Sequence, residues 1–469
     1  MNNILPHAIY MITTIFFLYF IVLIAYYAFL AVVGFMEERK RRWQNEAEDY
    51  PLTYFTSFTL PVSIVIPARN EELWIRDSFL SMLNLNYPEF EIIVVDDNST
   101  DRTLAILDEI LDLKPRETQY VKHFKDGLVM EILKSVKYPN VTVITKTGGL
   151  KKAGAVNAAL NLARYKYVCV VDADTVLERD SLLKVMAYVE KDPEHIIGAG
   201  SYFGLSNGFE IKDGTIKKRS FSYSPLIAYQ NLEYVRSFFG NRIAWSRFNS
   251  MPNVPGGFGI WRRDILYELG GFSPAFTCED IEITFRAHSY IANKPEREYT
   301  ILMLPYYVSW TEGPSDVKSL LSQRSRWQRV VNETVWEYKY MLYNPRYKAF
   351  AFLTMPYYII YEVMGVFFEI ASILFVLTGW LTGLLDIKIF AAFMCLTILS
   401  QTIISLLSLF AFMRSQKVFR ITYVAYLILL AMTEMFWYKW IISISKLMGT
   451  FDFLRNKRTF DQYTRQKRG

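Results

Sequence analysis

Two aspartates separated by one residue follow a wholly apolar run of the chain. The run is "YVCVV", and Asp172-Ala173-Asp174 comes directly after it. Carboxylates this close repel each other unless a cation neutralises them, and hard oxygen ligands of this kind suit Mg²⁺ or Mn²⁺, which also bridge diphosphate oxygens. The alternative is a solvated strand end in which Asp174 caps the next helix. The pattern favours a nucleotide diphosphate with its cation.

Two earlier apolar runs also end in acidic residues. They are "PVSIVIPARNEE" (61–72) and "FEIIVVDDNSTD" (90–101), and residues 71–86 between them have helical character. Strand, helix and strand at this spacing predict a βαβ unit with parallel strands. Ligands bind beyond the carboxyl ends of such strands, which is where Glu71 and Asp97 fall. Helix capping is the competing interpretation of the polar residues around Asp97.

Three later stretches carry further polar residues. "KTGGLKKAGAVNAAL" is a glycine-rich loop whose Lys152 is placed to meet a phosphate, although the Walker A spacing is absent. In "AFTCEDIEITFRAHS", Glu279 and Asp280 begin a helix, where the helix dipole favours acids in any case. A buried carboxylate near a sugar is also what a general base needs. In "LLSQRSRWQRVV", Trp327 stands among Gln and Arg side chains, a composition also typical of membrane borders.

The composition indicates a membrane protein. Of the 469 residues 52% are hydrophobic, and the net charge of +6 comes without a basic helix motif that would indicate nucleic-acid binding. The three cysteines form no metal or disulfide pattern, which fits a reducing compartment. Residues 8–36 are uncharged and long enough to span a bilayer. The basic residues at 39–42 predict, by the positive-inside rule, an outside N-terminus and a cytoplasmic region from residue 37 onward.

Hydrophobicity separates a mixed α/β globular region, from about residue 50 to 345, from a second apolar part of the chain. Apolar runs follow at 350–385, 388–413 and 419–445. Basic residues flank the last run on both sides, which conflicts with one simple crossing. Either that run enters the membrane and returns, or the number of spans differs by one.

The ordered motifs resemble those of the membrane-embedded processive family-2 glycosyltransferases. That group includes bacterial cellulose, hyaluronan, chitin-oligosaccharide and poly-N-acetylglucosamine synthases, and the resemblance spans essentially the whole chain. Each motif is weak alone, but the ordered set followed by membrane helices is highly specific. The motifs are "IPARNE", "VVDDNSTD", "KAGAVN", "DAD", "PGGFGIWRRD", "EDIE" and "QRSRW".

The resemblance implies a GT-A-like α/β domain with a mostly parallel central sheet, between N- and C-terminal transmembrane helices. It implies a multi-pass protein of the cell membrane with its catalytic domain in the cytoplasm. The expected parts are an N-terminal transmembrane helix at 1–36, a cytoplasmic linker at 37–60, the GT-A domain at 61–335, an interfacial segment at 336–362, a transmembrane region at 363–448 and a basic cytoplasmic tail at 449–469.

The resemblance also implies roles for individual side chains. The residues expected to bind the nucleotide sugar are Glu71, Asp97, Lys152, Asp172 and Arg326. Asp174 is the expected ligand of Mg²⁺ or Mn²⁺. Asp280, with Glu279 beside it, is the expected base that deprotonates the acceptor hydroxyl. Gln323 and Trp327 are expected on the acceptor side, where Trp327 stacks against a sugar.

The implied reaction is inverting, metal-dependent transfer of a hexose or N-acetylhexosamine from a UDP-sugar to a growing β-linked polysaccharide, processive and coupled to export. The implied partners are the UDP-sugar, the glycan acceptor and membrane lipid, and no accessory export protein is specified. We expect Tyr306, Tyr307 and Trp310 to line the path of the chain. The alternative is a single addition to polyprenyl phosphate or another lipid, against which "QRSRW" weighs. A degenerate nucleotide-sensing receptor is disfavoured because Asp174 and Asp280 are present.

The chain departs from the family pattern near the expected acceptor pocket. Cys278 stands where Thr or Gly is usual, Val330 stands where Gly is common, and Pro255-Gly256-Gly257 replaces the more frequent Ser-Gly-Ala. These departures leave the sugar specificity open but not the reaction class. Residues 111–140 lack clear periodicity and are interpreted as an insertion.

Overall fold

The structure is a computed structural model that describes residues 4–46, 59–383, 386–415 and 419–455. A long N-terminal helix, α1 (Ile4–Glu46), precedes a ten-stranded sheet with helices on both faces. The elements that follow α1 are, in chain order, β1 (Val62–Ala68), α2 (Ile75–Leu83), β2 (Phe90–Asp97), α3 (Thr103–Leu111), β3 (Leu113–Pro115), β4 (Val129–Ser135), β5 (Val141–Lys146), α4 (Lys151–Leu160), β6 (Tyr167–Val170), β7 (Val176–Leu177), α5 (Ser181–Val189), β8 (Ile196–Leu205), β9 (Glu210–Lys212), β10 (Thr215–Lys218), α6 (Pro225–Val235), a π-helical segment (Arg236–Arg242), α7 (Ile243–Arg247), β11 (Gly259–Arg262), α8 (Arg263–Glu268), α9 (Glu279–Asn293), β12 (Thr300–Thr311) and α10 (Val317–Glu337).

The sheet has the strand order β3-β4-β5-β2-β1-β6-β11-β8-β12-β7. β5, β2, β1 and β6 are parallel neighbours, as the βαβ pattern predicts. β8 and β12 are also parallel, whereas β4, β11 and β7 run against their neighbours. Seven of the ten strands (β1, β2, β3, β5, β6, β8 and β12) therefore point the same way. The prediction of a mostly parallel α/β sheet is confirmed, with antiparallel strands set among the parallel ones.

The turn after β1 is tied to the turn after β2. The backbone N–H of Glu71 donates to the Thr103 hydroxyl at 2.8 Å, and that of Thr100 donates to the Asn70 side chain at 2.8 Å. Asn70 itself has a φ of 55°, a left-handed conformation that Asn tolerates well. The helix begins only at Ile75 because these bonds hold the preceding residues in the loop, so it is shorter than the predicted 71–86.

Both faces of the sheet are buried, which explains why its strands are almost continuously apolar. Ile64 and Ile66 pack with the helices on one face, while Val65 packs on the other. The hydrophobic core on the Val65 face continues to side chains of the C-terminal helices, including Phe412 and Tyr423. This face of the sheet and the apolar C-terminal helices therefore share one hydrophobic core. Residues 111–140, which lack periodicity, supply β3 and β4 at an edge of the sheet.

The C-terminal apolar runs form bent and straight helices. The segment Phe350–Val363 and α11 (Gly365–Leu381) meet at a 43° bend, α12 (Ile387–Ser415) follows, and α13 (Ile421–Thr433), prolonged to Phe436, meets α14 (Tyr438–Leu454) at 55°. Within the described residues, two helices are long and apolar enough to cross a membrane, and each bent pair adds a crossing if it is a single broken span. The last run is thus bent at Trp437, and both a broken span and a re-entrant loop have this form.

The first predicted boundary, at residue 36, falls inside a helix of the structure. α1 continues to Glu46 and so extends into the part of the chain predicted as a linker (37–60). Arg41, near the end of α1, is paired with Glu37 of the same helix. Its guanidinium also donates to the Ser246 hydroxyl and so contacts the globular domain. The rest of the predicted linker, 47–58, and most of the predicted tail, 456–469, lie outside the described residues.

Candidate active site

The carboxyl ends of the parallel strands open onto one large cavity. All of the site residues predicted from the sequence border it, although they come from six separate stretches of the chain: Glu71, Asp97, Lys152, Asp172, Asp174, Glu279, Asp280, Gln323, Arg326 and Trp327. The cavity has a volume of about 2240 Å³. The structure therefore brings the whole predicted set together.

Asp97 at the end of β2 is paired with a buried lysine. Asp97 lies opposite Lys146 in the register of β2 and β5, and the Lys146 Nζ is 2.5 Å from Asp97 Oδ1. Both side chains are nearly inaccessible, so the charge-assisted bond fixes the carboxylate at the cavity wall. The neighbouring Asp96 is buried as well, and burial raises the pKa of its carboxyl group. Sequence reasoning did not identify Lys146, whose partner lies on a strand nearly fifty residues away.

Lys152 in the first turn of α4 joins the strand ends to α9. Its Nζ lies 2.6 Å from Asp172 Oδ1 and 2.6 Å from Glu279 Oε1. Burial alone lowers the pKa of Lys152, but the two carboxylates outweigh it and hold that pKa well above its usual value. Burial raises the pKa of Asp172, and Lys152 opposes this only in part. One fixed positive charge thus lies between two acids at the centre of the site.

The second aspartate of the Asp-x-Asp motif lies deeper. Asp174 is buried and accepts a bond of 3.3 Å from the Thr311 hydroxyl at the end of β12. Within the described residues, no group of three or more His, Cys, Asp and Glu side chains is arranged to hold a metal ion. Mg²⁺ bound with a nucleotide needs only one or two protein carboxylates, because substrate phosphates and water supply the other ligands. The donor set of Asp172 and Asp174 therefore fits such a cation.

Asp280 is oriented by backbone N–H groups. Its Oδ2 accepts from the Gly256 N–H at 3.2 Å, and its Oδ1 accepts from the Ile281 N–H at 2.7 Å. A Cβ added at Gly256 would lie 3.1 Å from Lys152 Nζ and 3.3 Å from Asp280 Oδ2. Glycine at this position therefore allows the backbone to approach the charged groups closely. Cys278 just before the acidic pair stays a thiol, since burial and then the charges of Asp280 and Glu279 raise its pKa.

The Gln-x-x-Arg-Trp residues project from α10 into the cavity. Trp327 is 36% exposed, so one part of its ring is open to the cavity, while Gln323 is buried. The guanidinium carbon of Arg324 lies 4.0 Å from the Trp327 ring centroid, and Arg324 Nη2 is 3.0 Å from Glu233 Oε2. Glu233 also accepts from the Tyr438 hydroxyl at 2.7 Å. Sequence reasoning gave Arg324 no role. The available signal was its position three residues before Trp327, a spacing that places two side chains on the same face of a helix.

The cavity continues among the C-terminal helices, where its wall carries charged pairs. Lys446 Nζ lies 2.6 Å from Glu362, Lys439 Nζ lies 2.7 Å from Glu369, and Arg236 forms two bonds to Glu434. Acidic residues inside apolar runs mark functional or structural sites in membrane proteins. Glu362, Glu369 and Glu434 carried that signal in the sequence, but their partners could not be read there.

The expectation for the aromatic residues of β12 was wrong. Trp310 is fully buried, stacks on Tyr307 with ring centroids 4.3 Å apart and donates from its Nε1 to Glu178. Tyr306 is also buried, and none of the three borders the cavity. β12 lies inside the sheet, so these large side chains fill its core rather than a path for a glycan. Besides Trp327, the aromatic residues that do border the cavity include Phe16 and Tyr19 of α1 and Phe393 of α12.

Comparison with protein families gives two matches. Residues 63–270 match the family described as Glycosyl transferase family 2, and residues 167–445 match that described as Glycosyl transferase family group 2. The second match covers more than half of the chain and includes the site residues from Asp172 onward together with most of the C-terminal helices, while Glu71, Asp97 and Lys152 lie in the first match.

Several curated proteins are similar to this chain. "Probable glycosyltransferase YdaM" of Bacillus subtilis is 28% identical over 318 residues, which is 66% of this chain and 63% of that protein. "Poly-beta-1,6-N-acetyl-D-glucosamine synthase" of Staphylococcus epidermidis is 24% identical over 64% of this chain and 63% of its own length. "Beta-monoglucosyldiacylglycerol synthase" of Nostoc sp. is 26% identical over 63% of this chain and 52% of its own length. The matched region thus spans less than two thirds of each of these relatives.

A solved structure shares the fold over nearly the whole chain. It is the mannosyltransferase PcManGT from Pyrobaculum calidifontis in complex with GDP-Man and Mn²⁺. The TM-score is 0.50 at 16% sequence identity, with 93% of this chain and 99% of that chain covered. At this identity the likeness concerns the fold alone, which is that of a GT-A-like glycosyltransferase with apolar helices.

Proposed function

This chain belongs to glycosyl transferase family group 2 and is a glycosyltransferase, and from that premise we propose that it is an inverting, metal-dependent polysaccharide synthase. It transfers a hexose or N-acetylhexosamine from a UDP-sugar to a growing β-linked glycan and passes the glycan across the membrane. One observation carries the proposal. The ten predicted site residues border a single cavity that continues from the strand ends to the C-terminal helices.

On the donor side, Asp97 and Glu71 recognise the uridine. Asp97 is fixed for this by the buried Lys146, and Glu71 by the bond of its N–H to Thr103. Asp174, with Asp172 beside it, would hold Mg²⁺ or Mn²⁺, which would supply charge neutralisation for the diphosphate leaving group. Lys152 and Arg326 border the same part of the cavity and add positive charge for the leaving group.

On the acceptor side, Asp280 is the base. Its carboxylate, held by the Gly256 and Ile281 N–H groups, takes the proton of the acceptor hydroxyl. The acceptor oxygen attacks the anomeric carbon from the face opposite the diphosphate, and the bond from that carbon to the phosphate oxygen breaks. A single displacement inverts the anomeric configuration and needs one base, because a nucleotide diphosphate leaves without a general acid. Trp327 supports the face of the acceptor sugar.

The course of the cavity supports a polymeric acceptor. Beyond Trp327 its wall offers hydrogen-bonding and charged groups, such as Gln401, Ser372 and the Lys439–Glu369 pair, together with aromatic rings. A glycan needs both kinds of contact along its length. The arrangement proposed is a multi-pass protein of the cell membrane with the sheet on the cytoplasmic side, as the basic residues at 39–42 in the last part of α1 predict.

A lipid acceptor is the second candidate function. An apolar part of the same wall is formed by Phe16, Phe17 and Phe393. The ring centroids of Phe17 in α1 and Phe393 in α12 lie 4.7 Å apart. That surface suits the hydrocarbon of a lipid carrier that receives a single sugar. The presence of Gln323 and the exposed ring of Trp327 in the cavity wall favours the polymer, since an amide and an aromatic face suit a sugar better than a chain of methylenes.

The proposed function is tested by UDP release from the purified full chain in detergent over a panel of nucleotide sugars. We expect release from one UDP-hexose or UDP-N-acetylhexosamine, loss of release with EDTA and its return with Mg²⁺ or Mn²⁺. Turnover of a guanosine or thymidine diphosphate sugar instead, or full activity in EDTA, would contradict the assigned donor or metal.

A further inference from the structure

Arg242 is a cationic side chain in the cavity wall that forms no ion pair with any acid in the described part of the chain. Its guanidinium carbon lies 4.3 Å from the centroid of the Phe238 ring, and its Nη1 is buried without a hydrogen-bond partner in the described part of the chain. Asp280 is close enough to influence its charge, but the two groups are not within ion-pair distance. Arginine keeps its charge in proteins, so the buried nitrogen costs free energy unless a ligand satisfies it.

Several other charged groups in the cavity wall are held in ion pairs. Arg236 is paired with Glu434, Arg324 with Glu233, and the two lysines of α14 with Glu369 and Glu362. Arg242 differs from these groups, because its positive charge has no ion-pair partner among the described residues. A wall built only for a neutral glycan would not need that charge.

The segment that carries Arg242 is fixed in place. Arg236–Arg242 is π-helical, a conformation often found at functional sites. Its Gly240 carbonyl lies so close to Gly34 of α1 that a Cβ at Gly34 would overlap it. Arg236, Ser237 and Asn241 of the same segment also border the cavity. The guanidinium is thus presented by a rigid backbone and not by a mobile loop.

The position of Arg242 separates it from the donor phosphates. The segment that carries Arg242 packs against α1 and α12, because Gly240 lies against Gly34 and Ser408, and Tyr358 and Asp280 are near the guanidinium. Lys152 instead lies between Asp172 and Glu279 near the strand ends. Tyr358 belongs to the segment that leads into the membrane helices. A ligand of Arg242 is therefore part of the acceptor.

We propose that Arg242 binds an oxyanion carried by the acceptor, either the carboxylate of a sugar acid in the glycan or a phosphate that joins the glycan to a lipid. This inference rests on the proposed function, since it names the chemistry of the acceptor at the same site. Guanidinium binds both anions through two parallel N–H···O bonds, which a neutral sugar cannot offer.

The test measures binding of matched acceptor analogues to the full chain in nanodiscs, without donor. The first pair consists of two β-linked disaccharides, one with glucuronate and one with glucose as the second residue. The second pair consists of two dodecyl glucosides, one joined through a phosphodiester and one joined directly. We expect the charged member of one pair to bind about ten- to a hundredfold more tightly. The pair that shows the preference identifies the source of the oxyanion.

Variants assign that preference to the side chain. Arg242→Gln should bring the ratio of dissociation constants close to one, and Arg242→Lys should keep part of it because the charge remains. Arg247→Gln, an exposed arginine on the following helix, is the control and should leave the ratio unchanged. Equal binding of both members of both pairs by the unmodified protein, or an equal loss for charged and neutral members in Arg242→Gln, would overturn the inference. Failure of the proposed function would instead show as absent transfer from UDP-sugars with the binding preference intact.

Discussion

The guanidinium of Arg324 lies 4.0 Å from the centre of the Trp327 ring, and it is held there from a different part of the chain. Glu233 of α6 pairs with Arg324, and Tyr438 of α14 donates to the same carboxylate. The ring that is proposed to support the acceptor sugar is thus supported by a network that reaches the last bent helix. The position of the Trp327 ring in the proposed acceptor site therefore depends on how α14 packs against α6 and α10.

Replacing Trp327 by alanine should raise the KM for the acceptor on the order of tenfold, because a stacking contact of this kind contributes about 1 kcal/mol or somewhat more. Trp336→Ala is the matched control, since Trp336 lies on the same helix, is 63% exposed and does not border the cavity. Initial rates at varied acceptor give the comparison. An equal effect of the two substitutions would remove the assigned role of Trp327.

The contact between Arg324 and Trp327 is tested by a double-mutant cycle. Arg324→Leu should raise the acceptor KM, and the double variant should be little worse than Trp327→Ala alone, because residues in contact are not additive. Strictly additive changes in the free energy of transition-state binding would mean that Arg324 does not position the ring.

Asp280→Asn should lower kcat by about 10²- to 10⁴-fold, the usual contribution of a general base. The amide keeps the size of the side chain and still accepts one backbone N–H, so binding of the donor should change little. Glu296→Gln, an exposed acid beyond the end of the same helix, serves as the control. Retention of more than a tenth of the activity by Asp280→Asn would exclude it as the base.

Gly449→Ala should impair both stability and turnover. A Cβ at Gly449 of α14 would overlap the Ser325 carbonyl oxygen of α10, within the motif helix. Overpacking of this kind costs about 1–3 kcal/mol and here would displace the helix that carries Trp327. Met448→Ala changes the adjacent, 46% exposed residue and should have a small effect on the thermal unfolding midpoint and on activity. Similar results for both variants would show that α14 does not pack closely on α10.

His288 should make the protein less stable in mild acid. Burial lowers the pKa of His288 to about 4, and its Nε2 donates to the Met251 carbonyl oxygen at 2.8 Å. The unfolded chain binds a proton near pH 6.5 while the folded chain does not, so stability is complete above pH 6.5 and is lost as the pH falls toward 4. The loss at pH 5 is about 2 kcal/mol.

Thermal unfolding at pH 7 and pH 5 checks this, with His288→Gln as the comparison. Glutamine keeps a donor for Met251 but does not titrate, so the decrease between the two pH values should be smaller in the variant. An identical decrease in both proteins would show that His288 does not contribute.

The strand ends and their acids were predictable from the sequence because each lies in a short local pattern. Asp97, Asp172 and Lys152 follow apolar runs or open a helix, and the parallel arrangement of those strands places them together. Groups that depend on distant partners were not predictable. Lys146, Glu233 and Arg242 acquire their meaning only from neighbours on other elements.

The aromatic residues illustrate the same limit. Composition suggested that Trp310 faces a glycan, but a strand presents alternate side chains to two faces and either face of a central strand is buried. Trp327 was assigned to the site because its neighbours in sequence are polar and its motif is shared with a family. A pattern that includes its chemical surroundings was therefore informative, while residue type alone was not.

The most direct test of the account is the size of the product made from the accepted UDP-sugar by purified full-length protein with Mg²⁺ or Mn²⁺. The account predicts a high-mass, glycosidase-sensitive polymer that forms from one donor and is absent in Asp280→Asn. A single sugar added to polyprenyl phosphate, with no polymer under any acceptor condition, would contradict it.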